Sequence, residues 1–353
     1  MSSPARSIPL GEPPRRVAVL RALQLGDMLC AVPALRAIRA AWPDAEIVLI
    51  GLPWARAFVE RFDAYLDGFR EFPGWPGLPE REPELGRIPA FLAGIQAERF
   101  DLAIQLHGSG PFVNPLIALM GATRSAGFAL PGGYRPDPDL FLPWPEEGLE
   151  IRRLLALVKF LGIPWRGDQW EFPVRDADRR ALGSIGGAAD LSARAYACVH
   201  PGASIAPRRW PPGRFAAVAD ALAARGLRVV LTGTSGEAGL CREVARLMRH
   251  PALDLSGRTD LGSLAALLDG ARLLICNDTG VSHVAAGLGL PSVVVSTGEN
   301  PGRWAPIDRG RHRVLCRDSG VEPGEVVAEA LGLLDGAGLR RSRQEARAAA
   351  SAT

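Results

Sequence analysis

The stretch Leu274–Val295 reads LICNDTGVSHVAAGLGLPSVVV. An apolar run ends in the polar turn Asn277–Asp278–Thr279–Gly280. Small residues at helical spacing follow, and Ser292–Val295 is a second apolar run rich in β-branched side chains. The order strand, turn, helix, strand is the unit from which parallel sheets are built, and strands this uniformly apolar are those covered on both faces.

The same alternation continues upstream. RAYACVHPGAS (194–204) is a strand and turn, PGRFAAVADALAARG (212–226) an amphipathic helix closed by Gly226, and LRVVLTGTSGE (227–237) a strand and turn. AGLCREVARLM (238–248) and LGSLAALLDGA (261–271) read as helices flanking a short strand in ALDLSGRTD (252–260). A second series occupies the amino-terminal half. RRVAVLRALQL (15–25) opens with a strand, and GDMLCAVPALRAIRAAWP (26–43) spaces Leu29, Val32, Leu35, Ile38 and Ala41 along one helical face. AEIVLIGLP (45–53) and RFDLAIQLHGSG (99–110) are further strands. The expected class is α/β, with two Rossmann-like, doubly wound parallel-sheet domains. Their boundaries are placed as a loose tail over 1–14, a first domain over 15–180 and a second over 190–325. A carboxy-terminal helix over 326–339 is expected to pack back on the first domain, followed by a tail over 340–353.

Composition removes several classes of function. Net charge is +3 over 353 residues, with no basic cluster interleaved with aromatics outside the tail, so nucleic acid is not the expected partner. The five cysteines are dispersed without CxxC spacing, which fits reduced thiols in a cytoplasmic protein and no zinc site. No apolar run is long enough for a transmembrane helix, and the first residues lack the apolar core of a signal peptide. Lys159 is the only lysine, so any phosphate clamp must be built from arginine. No metal is expected, and a monomer is the default assembly.

Ligands of doubly wound sheets bind beyond the carboxyl ends of the strands, which ranks the strand-end turns as candidates. At Asn277–Gly280 a helix start offers free N–H groups and a positive dipole end to a phosphate. Thr279 adds a hydroxyl and Gly280 permits close approach, Asp278 can accept from sugar hydroxyls, and His283 lies one turn on. The competing reading makes Asp278 a helix cap and His283 a core histidine. His200 opens the second turn, HPGASIAPRRW, where Ser204, Arg208 and Arg209 suit an anion. In LTGTSGE, Glu237 can take ribose hydroxyls or serve only as a helix-start acid. In the first domain, Asp27 of LGDM is either a general base or a helix cap.

Taken together, GDMLCAVPALRAIRAAWPDAEI, HPGAS with RRWP, LTGTSGE, LSGRTDLGSLAALL and CNDTGVSHVAAGLGLPSVVV resemble glycosyltransferase family 9, the ADP-heptose–lipopolysaccharide heptosyltransferases. The resemblance runs from about Val17 to Pro306. It implies a GT-B fold with an interdomain cleft and an inverting, metal-independent transfer. Asp27 would be the base and an ADP-heptose-like nucleotide sugar the donor. By the same resemblance Ser204 and Arg208 face phosphate, with Arg209 as an alternative clamp, and Glu237 faces ribose. Asp278 faces the sugar, and Thr279, Gly280 and His283 the pyrophosphate. Thr259, in the SGRTD loop, borders the base. The family often carries lysine where this chain has Arg208. The acceptor is a glycan, lipid-linked or small-molecule hydroxyl. The segments FREFPGWPGLPE and QLHGSGPFVNP are poor in basic residues, which points away from a phosphorylated acceptor. The expected location is cytoplasmic, with peripheral contact to the inner membrane face as an option. Two alternatives share the architecture: a nucleotide-sugar 2-epimerase, for which no separate set of carboxylates is found, and a non-catalytic nucleotide-sugar binding protein.

Overall fold

The computed structural model describes residues 12–297, 301–317 and 320–350. Most of the expected amino-terminal tail lies outside them. The chain divides into two compact units that part between Gln169 and Trp170.

The first unit runs β1 (Arg16–Leu20), α1 (Leu25–Ala41), β2 (Glu46–Gly51), α2 (Ala55–Arg61), β3 (Gly68–Glu71), α3 (Ile88–Ala97), β4 (Leu102–Gln105), α4 (Val113–Leu119), β5 (Arg124–Ala129), β6 (Phe141–Pro143) and α5 (Glu150–Phe160). Its six strands are parallel in the order β3-β2-β1-β4-β5-β6. Val17, Ala18, Val19, Ile47, Val48, Leu49 and Leu102 are wholly withdrawn from solvent, as strands covered on both faces require. Leu29, Val32, Leu35 and Ile38, the stripe read from the sequence, are buried in α1, which packs along α5.

The second unit holds α6 (Asp176–Gly183), β7 (Tyr196–His200), α7 (Pro212–Ala224), β8 (Arg228–Leu231), α8 (Ala238–Leu247), β9 (Ala252–Asp254), α9 (Leu261–Gly270), β10 (Leu273–Asn277), α10 (Gly280–Gly287), β11 (Ser292–Val295), α11 (Pro301–Trp304), β12 (His312–Leu315) and α12 (Pro323–Ala350). Its parallel sheet has the order β12-β11-β10-β7-β8-β9. Each sheet is therefore doubly wound. Strand order reverses between β1 and β4 in the first unit and between β7 and β10 in the second, and those reversals are where such sheets take ligands.

Two domain expectations change. The boundary falls earlier than placed, because Trp170 lies on His283 and α6 packs on α9, which draws residues 170–183 into the second unit. The carboxy-terminal helix joins the second unit rather than the first. Its apolar face, Val326, Ala330, Leu333 and Leu334, enters the core formed with Trp210, Phe215, Val293 and Val295. That helix continues in backbone through Ala350, over most of the stretch expected as a tail.

Candidate functional site

At the reversal of the second sheet, β7 and β10 end side by side, and one buried side chain joins the turns beyond them. Asn277, wholly buried at the last position of β10, donates through Nδ2 to the carbonyls of Pro201 (2.8 Å) and Gly202 (3.2 Å). Its Oδ1 accepts from the Trp210 N–H at 2.9 Å. The HPGAS turn is thus fixed to the strand that leads into Asp278–Thr279–Gly280. The sequence pattern assigns Asn277 no role of its own, although a polar side chain at the end of a fully apolar strand is a signal for one.

The turn after β8 is tied to the same place. His200, the last residue of β7, shares a hydrogen bond between Nδ1 and the Thr232 hydroxyl at 3.1 Å. A Cβ on Gly202 would lie 2.2 Å from Glu237 Oε1, so only glycine allows that carboxylate so close to the turn after β7. The Glu237 Oε2 accepts from the Thr234 N–H (2.8 Å) and hydroxyl (2.9 Å), which realises the helix-start role weighed for it. Burial pushes the Glu237 pKa up, but the Thr234 amide and hydroxyl hold it below its ordinary value, as an anion. The loop after β9, which carries half-buried Thr259, is fastened by the Gly257 N–H to the Gly233 carbonyl at 2.8 Å. Gly257, at φ +69°, sits where a Cβ would meet Ser235 at 3.0 Å.

Around these turns the other expected residues take distinct positions. Ser204 and Arg209 are exposed, and Arg208 is half-buried at the end of a short 3-10 turn. Arg209 Nε holds the Ala203 carbonyl at 3.0 Å, and its charge acts on Glu237. Thr279, not Asp278, is the N-cap of α10, and its side chain makes no capping hydrogen bond. Asp278 and Gly280 are half-buried beside it. His283 is buried, with its ring 4.8 Å from that of Trp170 and Nδ1 3.2 Å from the Ser282 hydroxyl. Its position is that of a core histidine, with the Thr279 and Trp304 main chain beside the ring and no hydrogen bond of full geometry at Nε2. Trp170, from the chain's crossing into the second unit, was not singled out by sequence.

In the first unit Asp27 lies in the opening turn of α1, three residues past the N-cap Gln24, where a carboxylate suits the helix dipole. It is half-buried. Nearby, His107 follows β4. Its Nδ1 accepts from the Ala22 N–H at 3.1 Å, and its Nε2 faces Glu80 Oε2 at 3.4 Å. Among the described residues no three His, Cys, Asp or Glu side chains are grouped to hold a metal ion. None of the five cysteines is in a disulfide. No helix among the described residues is long and apolar enough to cross a membrane.

Two doubly wound parallel sheets in one chain, each with a strand-order reversal, define the fold class as α/β of the GT-B type. The sequence pattern of glycosyltransferase family 9 (heptosyltransferase) matches residues 143–324, and the chain belongs to that family. Lipopolysaccharide heptosyltransferase 3 of Escherichia coli is 24% identical over 306 residues, spanning 80% of this chain and 83% of the relative. The structure of a family 9 glycosyl transferase from Veillonella parvula superposes with a TM-score of 0.77 at 20% identity, over 91% of this chain and 97% of the other. That of E. coli ADP-heptose lps heptosyltransferase II gives 0.72 at 22%, over 90% and 98%.

Asn277→Ala is expected to cost about 1–3 kcal/mol for each backbone group it strands, seen as a lower urea midpoint; an unchanged midpoint would show that water replaces the amide. Acid should act on the same unit. Burial holds His200, His283 and His312 below their ordinary pKa, His312 at about 4, with nearby carboxylates opposing only in part. Unfolded histidines protonate near 6.5, so as pH falls from there the unfolded chain takes protons that the native one refuses, at about 1.4 kcal/mol per pH unit and group. Stability is therefore full above about pH 6.5 and declines below it. The expected readout is a thermal midpoint that drops between about pH 6.5 and 5, with amide exchange rising in residues 196–315 first. A flat midpoint over that window would contradict buried neutral rings.

Proposed function

We propose that this chain is an inverting, metal-independent heptosyltransferase that moves a heptose from ADP-heptose to a saccharide hydroxyl. The observation that carries the reading is the set of turns joined by Asn277 and Gly202 at the β7–β10 reversal, with the amino end of α10 among them. That helix end, the Thr279 hydroxyl and the Ser204–Arg209 turn supply N–H, O–H and guanidinium donors to a diphosphate. Glu237, held ionised, suits the ribose hydroxyls. Asp278 suits the sugar, and Thr259 the border of the base.

The chemistry follows from those donors. As the bond from the anomeric carbon to the diphosphate breaks, negative charge grows on the leaving oxygen. Fixed dipoles and an arginine aimed at that charge stabilise it, and one such donor is worth about 3 kcal/mol. Asp27 is proposed to take the proton of the acceptor hydroxyl as its oxygen attacks from the face opposite the diphosphate, which inverts the anomeric centre. His283 assists from α10. Its buried, neutral ring can donate through Nε2 once a ligand oxygen reaches it. ADP-heptose and lipopolysaccharide appear in the names of the relatives above and are taken as the first donor and acceptor to test. Five dispersed cysteines with no disulfide among them fit a reducing, cytoplasmic compartment.

The test is heptose transfer from ADP-heptose to heptose-deficient lipopolysaccharide, with wild type and Asp27→Asn side by side. Turnover is expected to fall about 100- to 10,000-fold in the variant while ADP affinity stays unchanged. Full turnover by Asp27→Asn would remove the base assignment.

A further inference from the structure

Beneath the turn that carries Asp27 lies a buried ionic cluster that the sequence did not announce. Arg21, the first residue past β1, is 1% exposed, Glu150 2% and Arg153 5%. A charge so withdrawn from water costs several kcal/mol unless its donors are used, and here they are. Arg21 Nε and Nη2 close as a fork on a single oxygen, the main-chain carbonyl of Asp27, at 2.9 and 2.7 Å. Its Nη1 donates to the Leu106 carbonyl just past β4. Its own N–H bonds the Ile50 carbonyl of β2 at 3.0 Å. Glu150 Oε1 lies 3.4 Å from Nη2 and balances the charge, and Glu150 Oε2 lies 3.6 Å from Arg153 Nη1. Glu150 is the first residue of α5, where the helix dipole favours a carboxylate.

One guanidinium thus joins the segment just past β4 to the first turn of α1, while the main chain of the same residue stays bonded to β2. A carbonyl in a helix already faces its own intrahelical donor, so the fork on Asp27 is an added restraint. With the Asp27 main chain pinned at its carbonyl, the carboxylate projects from a fixed point. A proton acceptor needs this, since about 1 Å of misplacement can cost about 100-fold in rate.

We infer that Arg21, charge-balanced by Glu150, is the positioning residue for Asp27, holding the first turn of α1 at the height where its carboxylate meets the acceptor hydroxyl. The inference rests on the heptosyltransferase reading for the identity of the reaction but not for the restraint itself. Lysine would keep the charge and lose the fork, which makes Arg21→Lys the discriminating change.

The experiment uses the full chain and two readouts on Arg21→Lys and Glu150→Gln. In the transfer assay kcat should fall about 10- to 100-fold for Arg21→Lys, and less for Glu150→Gln, with the KM for ADP-heptose unchanged. In hydrogen exchange, amides of residues 25–31 should exchange about 10-fold faster or more in Arg21→Lys while those of β7 and β10 stay as in wild type, which a general loss of stability would not produce. Wild-type kcat, or wild-type exchange in residues 25–31, would overturn the inference. If Arg21→Lys does not fold, Glu150→Gln carries both readouts, and wild-type values in either overturn the inference in the same way. Should wild type transfer no heptose, the functional reading fails alone, and the exchange result still decides whether Arg21 restrains the turn.

Discussion

Side-by-side pairing of β7 and β10 is the constraint on which the second unit's chemistry depends. Parallel strands end on the same edge, and reversal of strand order at that pair sends the two succeeding segments to opposite faces, opening a crevice between their first turns. Asn277 closes the base of that crevice. Its amide satisfies two carbonyls and one N–H that would otherwise sit buried and unpaired, and in doing so it sets the HPGAS turn against Asp278–Thr279–Gly280. Glu237 then approaches a glycine that has no side chain to refuse it. The turns are preorganised by the fold before any ligand arrives, which is the condition for electrostatic catalysis without reorganisation at the moment of reaction.

Most of the architecture was legible because central strands and long helices carry their burial in their composition. Val17–Leu20, Glu46–Gly51 and Leu273–Asn277 could be read from apolar runs alone. Several of the elements that escaped are short and peripheral. β6, only Phe141–Pro143, contains a proline, and β12, His312–Leu315, carries two basic-type side chains; both are sheet-edge strands, where composition is least constrained. α6 lies in a polar stretch without clear periodicity, and its packing on α9 moved the domain boundary. The carboxy-terminal helix was expected from its pattern, but an apolar stripe does not say which core it enters.

The candidate site was legible by residue type and opaque by role. Thr279, Glu237 and Asp27 stand out as candidates because strand-end turns are few and their side chains are reactive in kind. What holds them was missed for the same reason. Arg21 sits inside an apolar strand exit, RALQL, where an arginine reads as surface, and its partner Glu150 lies 129 residues away. The His283 ring is buried against Trp170, a contact that no local spacing encodes. Long-range polar pairs are set by topology, and single-sequence patterns carry no record of them.

Sheet order and core packing are set by many residues, whereas in the proposed reading selection of the nucleobase falls to one loop around Thr259. The most direct measurement is titration calorimetry of the full chain with ADP, UDP, GDP and dTDP. The account predicts that ADP binds tightest and that Gly202→Ala, which drives a methyl into the Glu237 carboxylate, weakens it. A preference for UDP or dTDP, or no binding of any diphosphate, would contradict it.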